Sequence, residues 1–106
     1  MTDRNDKLLS TLGLCVKAGK VIFGVPMVCE AMRKGGKKTP VLVLEAVDTS
    51  ENTHKRITDK CTYYNIKHQR LDIGGEELAE RLGKSAHLGA VALTDSGLCA
   101  LIEKYI

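Results

Sequence analysis

The chain has 106 residues, of which 43% are hydrophobic and 27% charged, with a formal net charge of +3. That balance suits one folded domain over residues 1–106 and excludes a disordered chain. No apolar run approaches the roughly 18–20 residues that span a bilayer, and the polar start from Met1 to Lys7 lacks the apolar stretch of a signal peptide, so a cytoplasmic protein with no membrane contact is expected.

Taken in chain order, Leu8, Leu9, Leu12, Cys15 and Val16 recur at helical spacing, with Asp3 or Asn5 as cap and Gly19 as stop. Val21-Ile22-Phe23 is a short β-prone run ending at Gly24. A second helix is predicted from Pro26 to Lys34, with proline in its first turn, Val28, Ala31 and Met32 inward, and Gly35-Gly36 ending it before an exposed Lys37-Lys38-Thr39 loop. Val41 to Leu44 is continuously apolar, the pattern of a strand covered on both faces. Asp48-Thr49-Ser50 then caps a third helix from about Glu51 to Tyr64, in which Ile57, Cys61 and Tyr64 recur at spacings of 4 and 3. Ile66 to Leu71 reads as a weaker strand, and Gly74-Gly75 opens a fourth helix that buries Leu78 and Leu82. Ala90 to Leu93 is a second buried strand, and Thr94-Asp95-Ser96 caps a last helix with Leu98, Leu101, Ile102 and Tyr105 inward. The alternation αβαβαβαβα predicts an α/β fold, a three-layer sandwich with helices on both faces of one sheet.

Catalytic chemistry is not visible. Cys15, Cys29, Cys61 and Cys99 lie 14, 32 and 38 residues apart, without metal-ligand spacing, and fall on apolar helix faces. They are expected to be buried, reduced thiols. His54, His68 and His87 are scattered, with no carboxylate or cysteine at ligand spacing, and a solvated or lightly packed role is expected. Gly83-Lys84-Ser85 matches the tail of a phosphate loop, but the glycine required five residues earlier is Leu78. With no nucleophile–base constellation and no cofactor motif, a non-enzyme without cofactor or metal is expected.

Charge suggests a different role. From Lys17 to Lys38 six basic residues (Lys17, Lys20, Arg33, Lys34, Lys37 and Lys38) face one acid, Glu30. A basic first third fits a polyanion-binding face. Aromatics are only 4% of the chain, so base stacking on a single strand is disfavoured and structured RNA held through shape and phosphates is favoured. Gly24 to Met27, a glycine turn opening a helix, is a natural place for it.

Several stretches, in order, resemble one known family: Leu12 to Lys20 followed by Phe23-Gly24, Val41 to Thr53, Thr58 to Tyr64, Leu82 to Ser85, and Ala90 to Gly97. Together they are similar to the L-seven-Ae-like ribosomal protein family, and within it to the bacterial YlxQ-type members. The resemblance spans about residues 5–105 and implies the same α-β-α sandwich, with a four-stranded mixed sheet. It implies binding of kink-turns, RNA bends built on tandem sheared G·A pairs, through three loops: Lys20 to Glu30, Glu45 to Asp48, and Gly83 to Leu88. The RNA-contacting residues so implied are Lys17, Lys20, Gly24, Val25, Pro26, Met27, Glu30, Arg33, Lys34, Glu45, Asp48, Lys84 and Ser85.

One departure stands out. Archaeal and eukaryotic members follow the motif glycine with Thr-Asn-Glu and place a lysine three residues after the Glu. Here those positions are Val25, Pro26, Met27 and Glu30, and the basic residue before the glycine is Phe23. Each lost bidentate base contact costs about 1–3 kcal/mol, so affinity for a standard kink-turn is expected to fall by orders of magnitude unless Lys17, Lys20, Arg33, Lys34 and Lys84 compensate through phosphates. The resemblance therefore implies a non-catalytic ribosomal or translation-associated accessory protein that binds structured RNA (rRNA or another kink-turn-like RNA). The alternative is a protein-interaction module on the same fold that has lost kink-turn binding, its contact an apolar patch of Phe23, Val25, Pro26 and Met27.

Overall fold

The structure, a computed structural model, describes residues 3–106. Five helices and four strands alternate: α1 (Asp3–Lys17), β1 (Val21–Phe23), α2 (Val25–Lys34), β2 (Leu42–Glu45), α3 (Glu51–Tyr63), β3 (Lys67–Arg70), α4 (Gly75–Arg81), β4 (Ala90–Leu93) and α5 (Ser96–Glu103), with a short 3-10 turn over Gly36–Lys38. The strands form one sheet in the order β1-β4-β2-β3. β4 runs antiparallel to both β1 and β2, and β2 pairs parallel with β3, so the sheet is mixed.

Side-chain alternation in the two central strands divides the core. Leu42, Leu44, Val91 and Leu93 point to one face and pack with Leu8, Leu9, Leu12, Leu78 and Ile102 of α1, α4 and α5. Val43, Ala90 and Ala92 point to the other face and pack with Val28, Met32 and Ile57 of α2 and α3. The result is the three-layer sandwich expected. Burial on both faces is why β2 and β4 read as apolar runs. Among the described residues, no helix is long and apolar enough to cross a membrane.

The helix ends follow their chemistry. Gly19 (φ 71) donates to Val16 O and Lys20 donates to Cys15 O, the paired reversed bonds that close a helix on a left-handed residue. Ser50 Oγ accepts from Thr53 N–H, and Asp95 Oδ1 from Leu98 N–H. α1 has already begun at Asp3, so Asp3 and Asn5 both lie inside its first turn and neither is the cap; the cap position falls outside the described residues. All four cysteines are free and buried.

Two inward assignments need correcting. Leu101 is 44% exposed, and Cys99 is buried beside Ile102 instead. In α2 the buried residues are Val28, Cys29 and Met32, with Ala31 only partly covered. Counting from i = Val28 or Leu98, both helices bury i+1 and i+4 more fully than i+3. Where i+1 and i+3 are both apolar, spacing alone does not decide which flank faces the core.

Candidate nucleic-acid interface

Because β4 is antiparallel to its neighbours, the C-terminal ends of β1 and β2 flank the N-terminal end of β4. Gly24 N–H donates to Ala90 O, and Ala46 N–H donates to Gly89 O, both at 2.9 Å. Three connections therefore leave the sheet at the same end: Gly24 into α2, the 46–50 turn, and the 83–89 loop. Gly24 has φ 88, a left-handed conformation that turns the chain from β1 directly into α2, where Pro26 occupies the first turn.

Side chains and backbone tie the three connections together. Asp48 Oδ1 accepts the Gly75 N–H at 3.0 Å, while Gly75 O accepts the Leu88 N–H at 3.1 Å. The first residue of α4 thus bonds the second loop through its amide and the third through its carbonyl. The Gly75 hydrogen bond, reinforced by His87 3.5 Å away, holds the Asp48 carboxyl below its ordinary 3.8. Lys84 Nζ lies 4.2 Å from the centroid of the Phe23 ring, joining the third loop to the end of β1 by a cation–π contact.

The structure brings together Gly24, Val25, Pro26, Met27, Asp48, Lys84 and Ser85. Pro26, Met27, Asp48, Lys84 and Ser85 are exposed on this platform. Val25 is half-buried, its methyl close against Gly89.

Lys17, Lys20, Arg33 and Lys34 lie elsewhere. Lys20 precedes β1, and its carbonyl accepts the Thr94 N–H beyond the far end of β4. It is separated from Gly24 by the strand, roughly 10 Å long at 3.3 Å per residue. Arg33 and Lys34 end the ten-residue α2, about 15 Å from its start at 1.5 Å per residue. The basic first third therefore sits at the opposite pole from the platform, which carries Lys84.

A groove of ≈ 650 Å³ between β1 and α2 connects the two poles, with Phe23 and Met27 towards one end and Lys34, Lys37 and Lys38 towards the other. Beside it Glu30 is already paired. Arg33 Nη2 lies 2.6 Å and Lys34 Nζ 3.9 Å from its carboxylate, and the Arg33 hydrogen bond lowers its pKa from the ordinary 4.5. Glu30 therefore stays ionised as an exposed ion pair, and Arg33 is partly committed to it.

Glu45 requires a correction. It was expected in the second RNA-contacting loop, yet it is 0% exposed. It ends β2 on the face covered by α3, turned away from the platform and out of reach of an RNA phosphate or base edge. His54 Nδ1 lies 2.9 Å from both of its oxygens, and His68 Nε2 2.7 Å from Oε1. Thr49 donates its hydroxyl to Oε2, and Arg70 Nε is 3.8 Å from Oε2. Burial alone would raise this carboxyl's pKa; the hydrogen bonds from Thr49, His54 and His68 outweigh it and leave the value below the ordinary 4.5.

Two of the histidines expected to be solvated or lightly packed are thus partners of one buried carboxylate. His54 and His68 stand 9 and 23 residues from Glu45 in sequence, spacings with no local signature. The available signal was a glutamate closing an otherwise apolar, doubly covered strand, a position that requires buried partners.

With this geometry in place, comparisons with known proteins fall in one group. Residues 6–102 match the model of the "Ribosomal protein L7Ae/L30e/S12e/Gadd45 family". The chain is 38% identical over 86 residues, 81% of each chain, to a protein of Bacillus subtilis (strain 168) named RNA-binding protein YlxQ. It is 33% identical to the protein of the same name from Enterococcus faecium, over 94% of this chain and 91% of that one. A solved structure of a protein with unknown function from Bacillus halodurans C superimposes with a TM-score of 0.77 at 30% identity, over 92% of this chain and 97% of that one.

Proposed function

This chain belongs to the ribosomal protein L7Ae/L30e/S12e/Gadd45 family, and on that footing we propose that residues 1–106 act as one cytoplasmic, non-catalytic domain that binds a sharply bent, kink-turn-like RNA in the service of the ribosome or translation. The observation that carries this reading is the convergence of three loops at one end of the sheet, locked by the bonds of Gly24, Ala46 and Gly75. Such a platform fits a bend by shape. With Val25, Pro26 and Met27 in its first loop, it offers few side-chain hydrogen bonds to base edges, so recognition passes to deformability and phosphate contacts. The bend would sit over Gly24 to Met27 and Lys84-Ser85, with one flanking stem running along the groove to Lys34, Lys37 and Lys38.

A fluorescence titration of a kink-turn duplex and a straight duplex tests this. Binding should favour the kink-turn by about tenfold, equivalent to about 1.4 kcal/mol. It should weaken steeply between about 50 and about 200 mM salt. Equal affinity for the two duplexes, or none for either, would remove the kink-turn from the reading.

Lys34→Glu combined with Lys37→Glu should weaken both complexes and flatten the log–log salt slope by roughly 1.8, two phosphate contacts at about 0.9 each. Thermal stability should stay within about 0.5 kcal/mol of the parent, as for exposed positions generally. An unchanged salt slope would detach RNA from this end of the molecule.

A second reading has its own observation. Met27 is 59% exposed beside an apolar groove, which also suits a protein partner if the chain has lost kink-turn binding. Failure of both duplexes to bind would bring this reading forward.

A further inference from the structure

We propose that Glu45, His54 and His68 form a binding site for one divalent transition-metal cation of the zinc class. The three residues come from β2, α3 and β3, and one ligand atom of each lies within 4.8 Å of the others. Both imidazole nitrogens approach the same carboxylate oxygen, Oε1, with Nδ1 of His54 at 2.9 Å and Nε2 of His68 at 2.7 Å. A zinc ion bound at about 2.0–2.2 Å from each ligand needs ligand atoms roughly 3.3 Å apart, so small side-chain rotations open the required space. The rings stand 6.0 Å apart, inclined by 46°; their nitrogens, not their faces, converge.

The other carboxylate oxygen is occupied in a way that leaves Oε1 free to ligate. Oε2 accepts the Thr49 hydroxyl and faces Arg70 Nε at 3.8 Å. These contacts fix the rotation of the carboxylate, as outer partners of metal ligands do. The Arg70 guanidinium, 40% exposed and so screened by solvent, opposes a cation from the Oε2 side and limits affinity. Access is from the α3 side. The Glu45 side chain is fully buried and that of His68 is 15% exposed, whereas that of His54 is 39% exposed, so a cation reaches the carboxylate as the His54 ring turns outward.

Two imidazoles and one carboxylate select zinc, nickel or copper over magnesium and calcium, which prefer oxygen ligands. Loading replaces the imidazole–carboxylate hydrogen bonds by metal–ligand bonds, with no change of oxidation state. Any proton carried on a ligating nitrogen is released to solvent or moves to the other ring nitrogen.

The test is calorimetric titration of the untagged chain with zinc, its thiols kept reduced by a non-chelating reductant, paralleled by cobalt absorption. One equivalent should bind saturably, and the thermal midpoint should rise with zinc. His54→Gln and His68→Gln should each weaken binding by at least about tenfold. His87→Gln, which alters the separate exposed His87–Asp48 pair, should not change it. His54 lies on a partly exposed helix face, so its variant keeps the question answerable if His68→Gln fails to fold. Absence of 1:1 binding overturns the proposal. So does wild-type affinity in His54→Gln, or a cobalt spectrum dominated by thiolate charge-transfer absorption.

Discussion

Glu45→Ala should lower the unfolding free energy by about 3 kcal/mol, the lower end of the roughly 3–5 kcal/mol seen when one partner of a buried ionic cluster is removed. The lower end applies because His54 is open enough to find water, whereas His68 and the Thr49 hydroxyl lose a buried acceptor. The carboxylate joins β2 to α3 and β3 at the last residue before the second loop, so the loss should spread into that loop as well. Glu45→Gln keeps one acceptor oxygen but turns an amide N–H₂ towards donors, and should cost about half as much. Urea unfolding with chelator present checks both; the midpoint should fall while the slope m stays constant. A loss below about 1 kcal/mol for the alanine variant would mean that the cluster contributes little beyond filling space.

Gly75→Ala is the second large effect expected, and its cause is purely steric. A methyl group there would stand 2.6 Å from the Leu88 carbonyl oxygen and 2.4 Å from the His87 ring. The ring can rotate away, but the carbonyl belongs to the backbone of the third loop. That loop must move, breaking or stretching the bond from Leu88 N–H to Gly75 O. Overpacking of this kind costs about 1–3 kcal/mol, or roughly 4–8 °C of Tm per kcal/mol in a domain near 100 residues. The control is Gly75→Ala combined with His87→Ala, which removes the ring clash and leaves the carbonyl clash. It should recover only part of the lost stability, and amide resonances of the third loop should remain displaced. Full recovery would place the whole effect in the His87 ring.

The sandwich was legible in the sequence because its strongest signals are local. The apolar runs of β2 and β4, Gly19, Gly35 and Asn65 in left-handed conformations, and the caps Ser50 and Asp95 all declare themselves within a few residues. What the sequence hid was long-range. The six basic residues between Lys17 and Lys38 look like one patch beside Gly24 when counted along the chain. The strand of β1 and the length of α2 carry them to the other pole. Glu45 looked like the first residue of a surface loop because a strand end and a loop start are adjacent in sequence. Only the parallel pairing of β2 with β3, which brings His68 opposite Val43, and the packing of α3 over that face reveal its partners. His54 on a partly exposed helix and His68 in an edge strand have no common periodicity from which their meeting could be read.

The two outer strands of the sheet bear on how the molecule behaves when crowded with copies of itself. An open strand edge offers unpaired amides and carbonyls that can template growth of the sheet into aggregates. Here one edge, β1, is only three residues long, too short to hold a second strand in register. The other, β3, consists of Lys67-His68-Gln69-Arg70, so a like strand laid against it would bring cations face to face. The Lys67 ammonium is further held to Glu103 of α5. The apolar strands that would form the most adhesive ribbon, β2 and β4, are both interior. Self-association through the sheet is therefore opposed by length on one side and by charge on the other, without sacrificing any core residue.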